Sequence, residues 1–243
     1  MFSQYHKLDI LLLQEHNCKD VNKLKYLSQM YNIIFNPSVC LKGGTCILIR
    51  KKLDFVIKNV ERSGDSRVCS VQGIVYGCKI NLVNVYAHSG TSSTQQRDAF
   101  FRDELHYYLR FNNMNTILGG DWNCVLSPRD VSNNNDSLVS KSLHKLVRDL
   151  RFCDMWFLCN RDIKYTYVRN DYGSRIDRLY CQELNNSIIT CETFPLSFSD
   201  HSAVISKVKI NQNIKMGRYY WRLNVKILED SEIKEKFIIL WNF

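Results

Sequence analysis

A chain of 243 residues with 45 % apolar side chains is long enough for one α/β domain and a short tail, and it can bury a full core. It has no run near the ~20 apolar residues a membrane-spanning helix needs, and its opening residues, MFSQYHKLDILLLQEHN, lack the basic, apolar, small-residue order of a secretion signal. The net charge of +9 comes from Lys and Arg spread along the chain, which points to a folded domain with a basic face and to nucleic acid as its partner.

The first strand-like run is 9–14. A helical face follows over 19–30, with Val21, Leu24, Leu27 and Met30 in line. Runs 45–50, 54–60, 68–75 and 79–86 are rich in Ile, Val, Tyr and Leu and read as strands. Residues 93–112 place Phe100, Leu105, Tyr108 and Leu109 at helical spacing, and Ser93 with Gln96 resembles a capping box. A strand at 115–118 leads to a polar loop at 133–136 and a helix at 137–150 built on Leu143, Leu146, Val147 and Leu150. Strands at 165–169, 176–180 and 203–210 close the pattern. Many strands with a few interposed helices predict an α/β fold of two packed mixed sheets flanked by helices. Residues 211–216 read as a linker and the segment from Gly217 as an amphipathic helix, giving a domain at 1–210 and a tail at 211–243.

Ten cysteines occur with no CxxC pair and no Cys–His cluster, so zinc-site spacing is absent. Cys46, Cys69 and Cys153 lie in apolar runs, where a free thiol acts as a small hydrophobe. This usage predicts a reducing compartment, nuclear or cytoplasmic, without disulfides.

Four segments carry chemistry. In LDILLLQEH an apolar strand hands over to Gln14, Glu15 and His16, and a carboxylate there is costly unless paired or bound to a hard cation. In ILGGDWN two glycines let the backbone turn or approach closely, and Asp121 and Asn123, two apart, share a side of an extended chain. A carboxylate and an amide so placed can orient water and hold a phosphate oxygen, and a plain Asx-capped turn explains the pair equally well. SRIDRLY sets Asp177 between Ile176 and Leu179. SFSDHSAVISKV puts Asp200 and His201 before a strand. A His in that setting is a candidate base or charge stabiliser once a carboxylate fixes its ring, and Asp177 is the candidate carboxylate.

In this order, QE, then NVYAH, GGDWN, SRIDRLY and SDHSAV, the segments resemble the endonuclease/exonuclease/phosphatase superfamily over about residues 1–210. Within it the chain is similar to the apurinic-type endonuclease domain of LINE-type (non-LTR) retrotransposon polyproteins. The tail, GRYYWRLNVKILED, resembles the linker that leads towards the reverse transcriptase. The resemblance implies a four-layer α/β/β/α sandwich and Mg²⁺-dependent nicking of double-stranded DNA, with Mn²⁺ as a substitute ion. It implies that Glu15 binds the metal, Tyr86 contacts the scissile phosphate, Asp121 orients or deprotonates water and Asn123 holds the phosphate. Asp177 would hydrogen-bond His201, and Asp200 would complete the metal surroundings. Thr166 and the hairpin Arg169, Ser174 and Arg175 would contact DNA. The pattern also departs from the family, whose first strand, with a TxN-type segment, precedes the QE strand. That strand is absent here, and the chain as it stands is expected to have little activity. The rival readings are a superfamily phosphatase and a non-catalytic DNA-binding remnant.

Overall fold

Strand β6 (Cys78–Tyr86) shows how the layers arise. Its side chains alternate across the sheet: Ile80 and Leu82 enter a cluster with Ile34, Ile47 and Ile49, while Val83 and Val85 enter another with Phe100, Phe101, Leu105 and Trp122. Both faces are buried, which places β6 in a middle layer. The protein was analysed as a computed structural model, described over residues 8–39, 43–110, 115–133, 138–182 and 187–210, all within one compact unit. The tail expected at 211–243 and most of the polar loop at 133–136 lie outside the described residues.

The middle sheet has six strands. β4 (Phe55–Arg62), β5 (Val68–Val75) and β6 form an antiparallel meander. β7 (Asn115–Asp121) joins β6 in parallel, and β11 (Asp177–Cys181) and β8 (Cys153–Asp154) follow antiparallel, so the sheet is mixed. A parallel pair needs a crossover, and helices supply it. α1 (Thr94–Ala99) continues through a π-helical turn, Phe100–Glu104, into α2 (Leu105–Tyr108), and α3 (Lys141–Asp149) packs beside them through Leu143 and Leu146.

The opposite face of the middle sheet is covered in two pieces. β1 (Ile10–Gln14), β2 (Tyr31–Asn36) and β3 (Thr45–Arg50) form one antiparallel sheet in the order β1-β3-β2. β12 (Ile188–Pro195) and β13 (Ser202–Val208) form the other. A 3-10 helix, Val21–Gln29, closes the outer side of the three-stranded sheet with Leu24 and Leu27 against Leu11, Leu13, Cys46 and Leu48. The result is the expected four-layer sandwich. β1 lies over β6 and β7 and β13 over β11, each with an edge that no described strand pairs. Beneath them Ile117 and Leu179 are only half-buried, unlike Leu118 and Tyr180 on the helix-covered face.

Several expectations change in detail. Among the described residues the six-stranded sheet is mixed and the smaller ones are antiparallel. The first helix is 3-10, starts at Asp20, whose side chain accepts from the Asn22 N–H, and leaves Val21 40 % exposed. Ser93 makes no side-chain cap; the capping box in this chain is Ser127 with Asp130, at a short 3-10 turn. β2 and β12 were not foreseen: in β12 Thr190 and Glu192 on an exposed side break the apolar run, and β2 offers only Ile33, Ile34 and Phe35 between two asparagines. The nine described cysteines are free thiols.

Candidate active site

Register brings the site together. Tyr86 ends β6 opposite Asp121 at the end of β7, and Asp121 stands opposite Asp177 at the start of β11. Three functional side chains therefore form a row across adjacent strands, at the carboxyl ends of the two parallel ones. The glycines of GGD are required by this closeness: a Cβ on Gly120 would lie 1.8 Å from the Val85 carbonyl oxygen, at a φ of +148°. Trp122, which follows, is fully buried between Phe101 and Tyr180 and anchors the strand end in the core.

Asp121 is 7 % exposed. The Asn123 N–H donates to its Oδ1 at 2.9 Å, and Asn123 Nδ2 donates to its Oδ2 at 3.2 Å and to the Ala87 carbonyl at 3.0 Å. Asn123 adopts a left-handed φ of 49°, which turns its amide back onto Asp121. Burial pushes the Asp121 carboxyl up to about 7, and the Asp177 carboxylate adds to the rise, against the pull of His201 and the Asn123 N–H.

His201 Nδ1 lies 2.9 Å and 3.1 Å from the two Asp177 oxygens, and its ring packs on Tyr167 at 5.0 Å. Burial alone would lower its pKa, but the hydrogen bond and charge of Asp177, with Asp121 and Asp200 behind, raise it to about 9. Nδ1 thus donates to Asp177, and Nε2 is left to face the cleft. Thr166 fixes Asp177 from behind: its hydroxyl oxygen accepts the N–H of Ile176 at 3.2 Å and of Asp177 at 2.9 Å.

The Glu15 carboxylate acts on the Tyr86 hydroxyl from beyond the end of β1. Its phenol is pushed up to about 12 by burial and by the charges of Glu15 and Asp121, so it stays a donor at neutral pH. Arg67 donates to the Tyr86 carbonyl at 3.2 Å and lies 5.5 Å from its ring centre. Glu15 is exposed, just past β1, with a left-handed φ of 51°. Asp200 is also exposed, and its carbonyl accepts the Val168 N–H. Asp121, Asp177 and His201 can bring one ligand atom each within 4.8 Å of the others. Carboxylate oxygens around a buried acid that is uncomfortable when ionised suit a hard divalent cation, with Glu15 across the cleft as a further oxygen donor.

The residues expected to meet DNA divide. Arg169 is exposed on the hairpin of β9 (Tyr167–Arg169) and β10 (Tyr172–Ser174). Thr166, Ser174 and Arg175 are 1–2 % exposed. Arg175 is tied instead into an internal ion-pair network: its Nε is 3.3 Å from Asp130, it also pairs with Asp154, and Arg178 is 2.8 Å from Asp130 and 3.2 Å from Asp154. That burial gives Arg175 a bracing role beneath Asp177 in place of a direct contact. Sequence reasoning also missed Asn84, whose Nδ2 donates to Leu13 O at 2.8 Å and Cys46 O at 3.0 Å and joins the middle sheet to β1 and β3. A polar residue inside the apolar run INLVNVY was the available signal.

The Endonuclease/Exonuclease/phosphatase family profile matches residues 2–201. The chain belongs to that family. Members hydrolyse phosphoester bonds and are generally dependent on a divalent metal, in keeping with the acidic and His cluster. Solved structures agree on the fold. An AP endonuclease from Archaeoglobus fulgidus matches at TM-score 0.70 and 17 % identity, over 86 % of this chain and 92 % of that one. A truncated TDP2 from Caenorhabditis elegans matches at TM-score 0.61 and 23 % identity, over 83 % and 85 %. The 3′ phosphatase NExo from Neisseria, bound to product DNA hairpin, matches at TM-score 0.64 and 17 % identity, over 86 % and 94 %.

Proposed function

We propose that this chain is a DNA-nicking phosphodiesterase that works with Mg²⁺, or Mn²⁺ in its place, and that it derives from a LINE-type retrotransposon polyprotein. The observation that carries the reading is the row Tyr86, Asp121 and Asp177 with His201 hydrogen-bonded to Asp177. Asp121 takes a proton from the attacking water while Asn123 keeps its carboxylate aimed. His201, held protonated by Asp177, offers Nε2–H to a phosphoryl oxygen, and the Tyr86 hydroxyl is a second donor. Glu15 and Asp200 are the oxygen donors assigned to the cation, which when bound would polarise the scissile phosphate and offset charge on the leaving oxygen. Double-stranded DNA is favoured by the net charge of +9, and by relatives of this fold described as an AP endonuclease and as a DNA-bound 3′ phosphatase.

The retrotransposon reading rests on the order of the motifs and on the segment from Gly217. It assigns residues 1–210 to the endonuclease and 211–243 to the path towards a reverse transcriptase, in an intracellular, reducing setting. The test is the chemistry of the product end. Supercoiled plasmid treated with the chain and Mg²⁺ should carry nicks that a DNA polymerase extends without prior phosphatase treatment, as a 3′-hydroxyl demands. Release of inorganic phosphate without nicking would replace this reading with that of a phosphatase.

A further inference from the structure

α3 turns one face inward and another outward. Leu143 and Leu146 are buried, and the outward face carries Lys141, His144, Lys145 and Arg148, all exposed. The acidic residue at its end, Asp149, is paired with Arg148 at 3.0 Å. Among the described residues no carboxylate lies within ion-pair distance of Lys141 or Lys145, and the first turn holds no acid. Like charges four apart weaken a helix, so folding alone does not favour this arrangement. The face also lines a surface cavity of about 360 Å³ together with Leu126 and Ser140.

The cavity is joined to the catalytic strand end. Val125 N donates to Leu138 O at 2.9 Å and Ser140 N donates to Val125 O at 3.0 Å. The start of α3 is therefore pinned beside the chain only two or three residues beyond Asn123, which itself hydrogen-bonds Asp121. The basic face of α3 is therefore tied by backbone hydrogen bonds to the segment that directly follows Asp121 and Asn123.

We propose that the outward face of α3 is a track for the phosphate backbone of duplex DNA flanking the cleaved bond, with Lys141 and Lys145 as its principal contacts. The inference rests on the DNA-nicking reading and adds to it a surface that reads charge and not sequence. Lysines that neutralise phosphates release counterions, so each one contributes about 0.9 to the slope of log affinity against log salt.

The experiment measures that slope for a fluorescent random-sequence duplex with EDTA present, which removes cleavage. The Lys141→Gln/Lys145→Gln chain should bind more weakly, with a slope smaller by about 1.8. Lys141→Arg/Lys145→Arg should keep the native slope. Lys51→Gln/Lys52→Gln removes the same charge just past Arg50, which ends β3 at the pole opposite Gln14, and should also leave the slope unchanged. An unchanged slope in the Lys141/Lys145 double variant overturns the track. An equal loss in the Lys51/Lys52 control reduces it to net charge and overturns it too. If the native chain binds no duplex at any salt, the DNA-nicking reading itself fails.

Discussion

Asp121 and Asp177 stand opposite each other on neighbouring antiparallel strands, so two carboxylates share one end of the middle sheet. Their repulsion and the burial of Asp121 raise its pKa, while His201 relieves Asp177. The pair explains why the site holds a proton near neutral pH, and it gives the proposed cation two carboxylates to offset.

The first prediction concerns pH. Nicking needs Asp121 ionised and His201 protonated, so its rate should rise as pH passes about 7 and fall as pH passes about 9. Asp177→Asn removes the partner that raises His201, and the alkaline limb should move to lower pH. The linkage has a definite sign. His201 is raised above its usual value of 6.5, so its pairing stabilises the fold fully below 6.5 and that contribution is lost as pH rises through about 9. A flat rate between pH 6 and 10 would contradict these roles.

A second prediction concerns the cation. Asp121 is raised, so stability falls as pH climbs from about 3.8 to about 7, and the full cost of its ionised form stands above that in the absence of metal. Asp121→Asn should therefore raise Tm at pH 8 in EDTA. Mg²⁺ should raise the Tm of the native chain through linkage, and raise that of the variant less, because the variant has no buried carboxylate for the nearby cation to relieve. Equal Mg²⁺ shifts in the two proteins would show that the cation does not relieve the Asp121 charge.

Asn84 is a test of how the layers are joined. Asn84→Leu leaves the Leu13 and Cys46 carbonyls without this donor, at about 1–3 kcal/mol for each one left unsatisfied. Denaturant unfolding should show the loss, and nicking should fall as Glu15 drifts from Tyr86. A variant as stable as the native chain would show that water replaces the amide.

The buried network gives a larger effect. Asp130→Asn removes a charge that meets both Arg175 and Arg178, and breaking a buried pair costs about 3–5 kcal/mol. Because Arg178 Nη2 also donates to the Arg175 carbonyl, two residues from Asp177, the damage should reach His201. A normal midpoint in urea would show that Asp154 alone balances the two arginines.

Most core strands were legible as apolar runs, and the candidate residues Glu15, Tyr86 and Asp121 stand where such runs end, whereas Asp177 and His201 stand where strands begin. Asp177 and His201 are paired by chemistry, a His needing a carboxylate, and their side chains meet at 2.9 Å; that Asp121 stands beside them follows only from strand register. The hairpin was harder. Arg175 reads as a basic loop residue, and only the partners Asp130 and Asp154, far off in sequence, reveal that it is buried. β12 escaped because a half-exposed strand lacks a continuous apolar run, and β2 because its apolar run is only three residues long between two asparagines. The ion pairs and the Asn84 bridge depend on contacts between distant segments, which periodicity does not encode.

The most direct measurement is the nicking of supercoiled plasmid by the native chain and by Asp121→Asn, each with Mg²⁺ and with EDTA. One nick relaxes a whole plasmid, so even a slow chain registers. The account predicts open circles from the native chain only with Mg²⁺, and a rate lower by about 10²–10⁴ in the variant. Native-rate nicking by Asp121→Asn would contradict it.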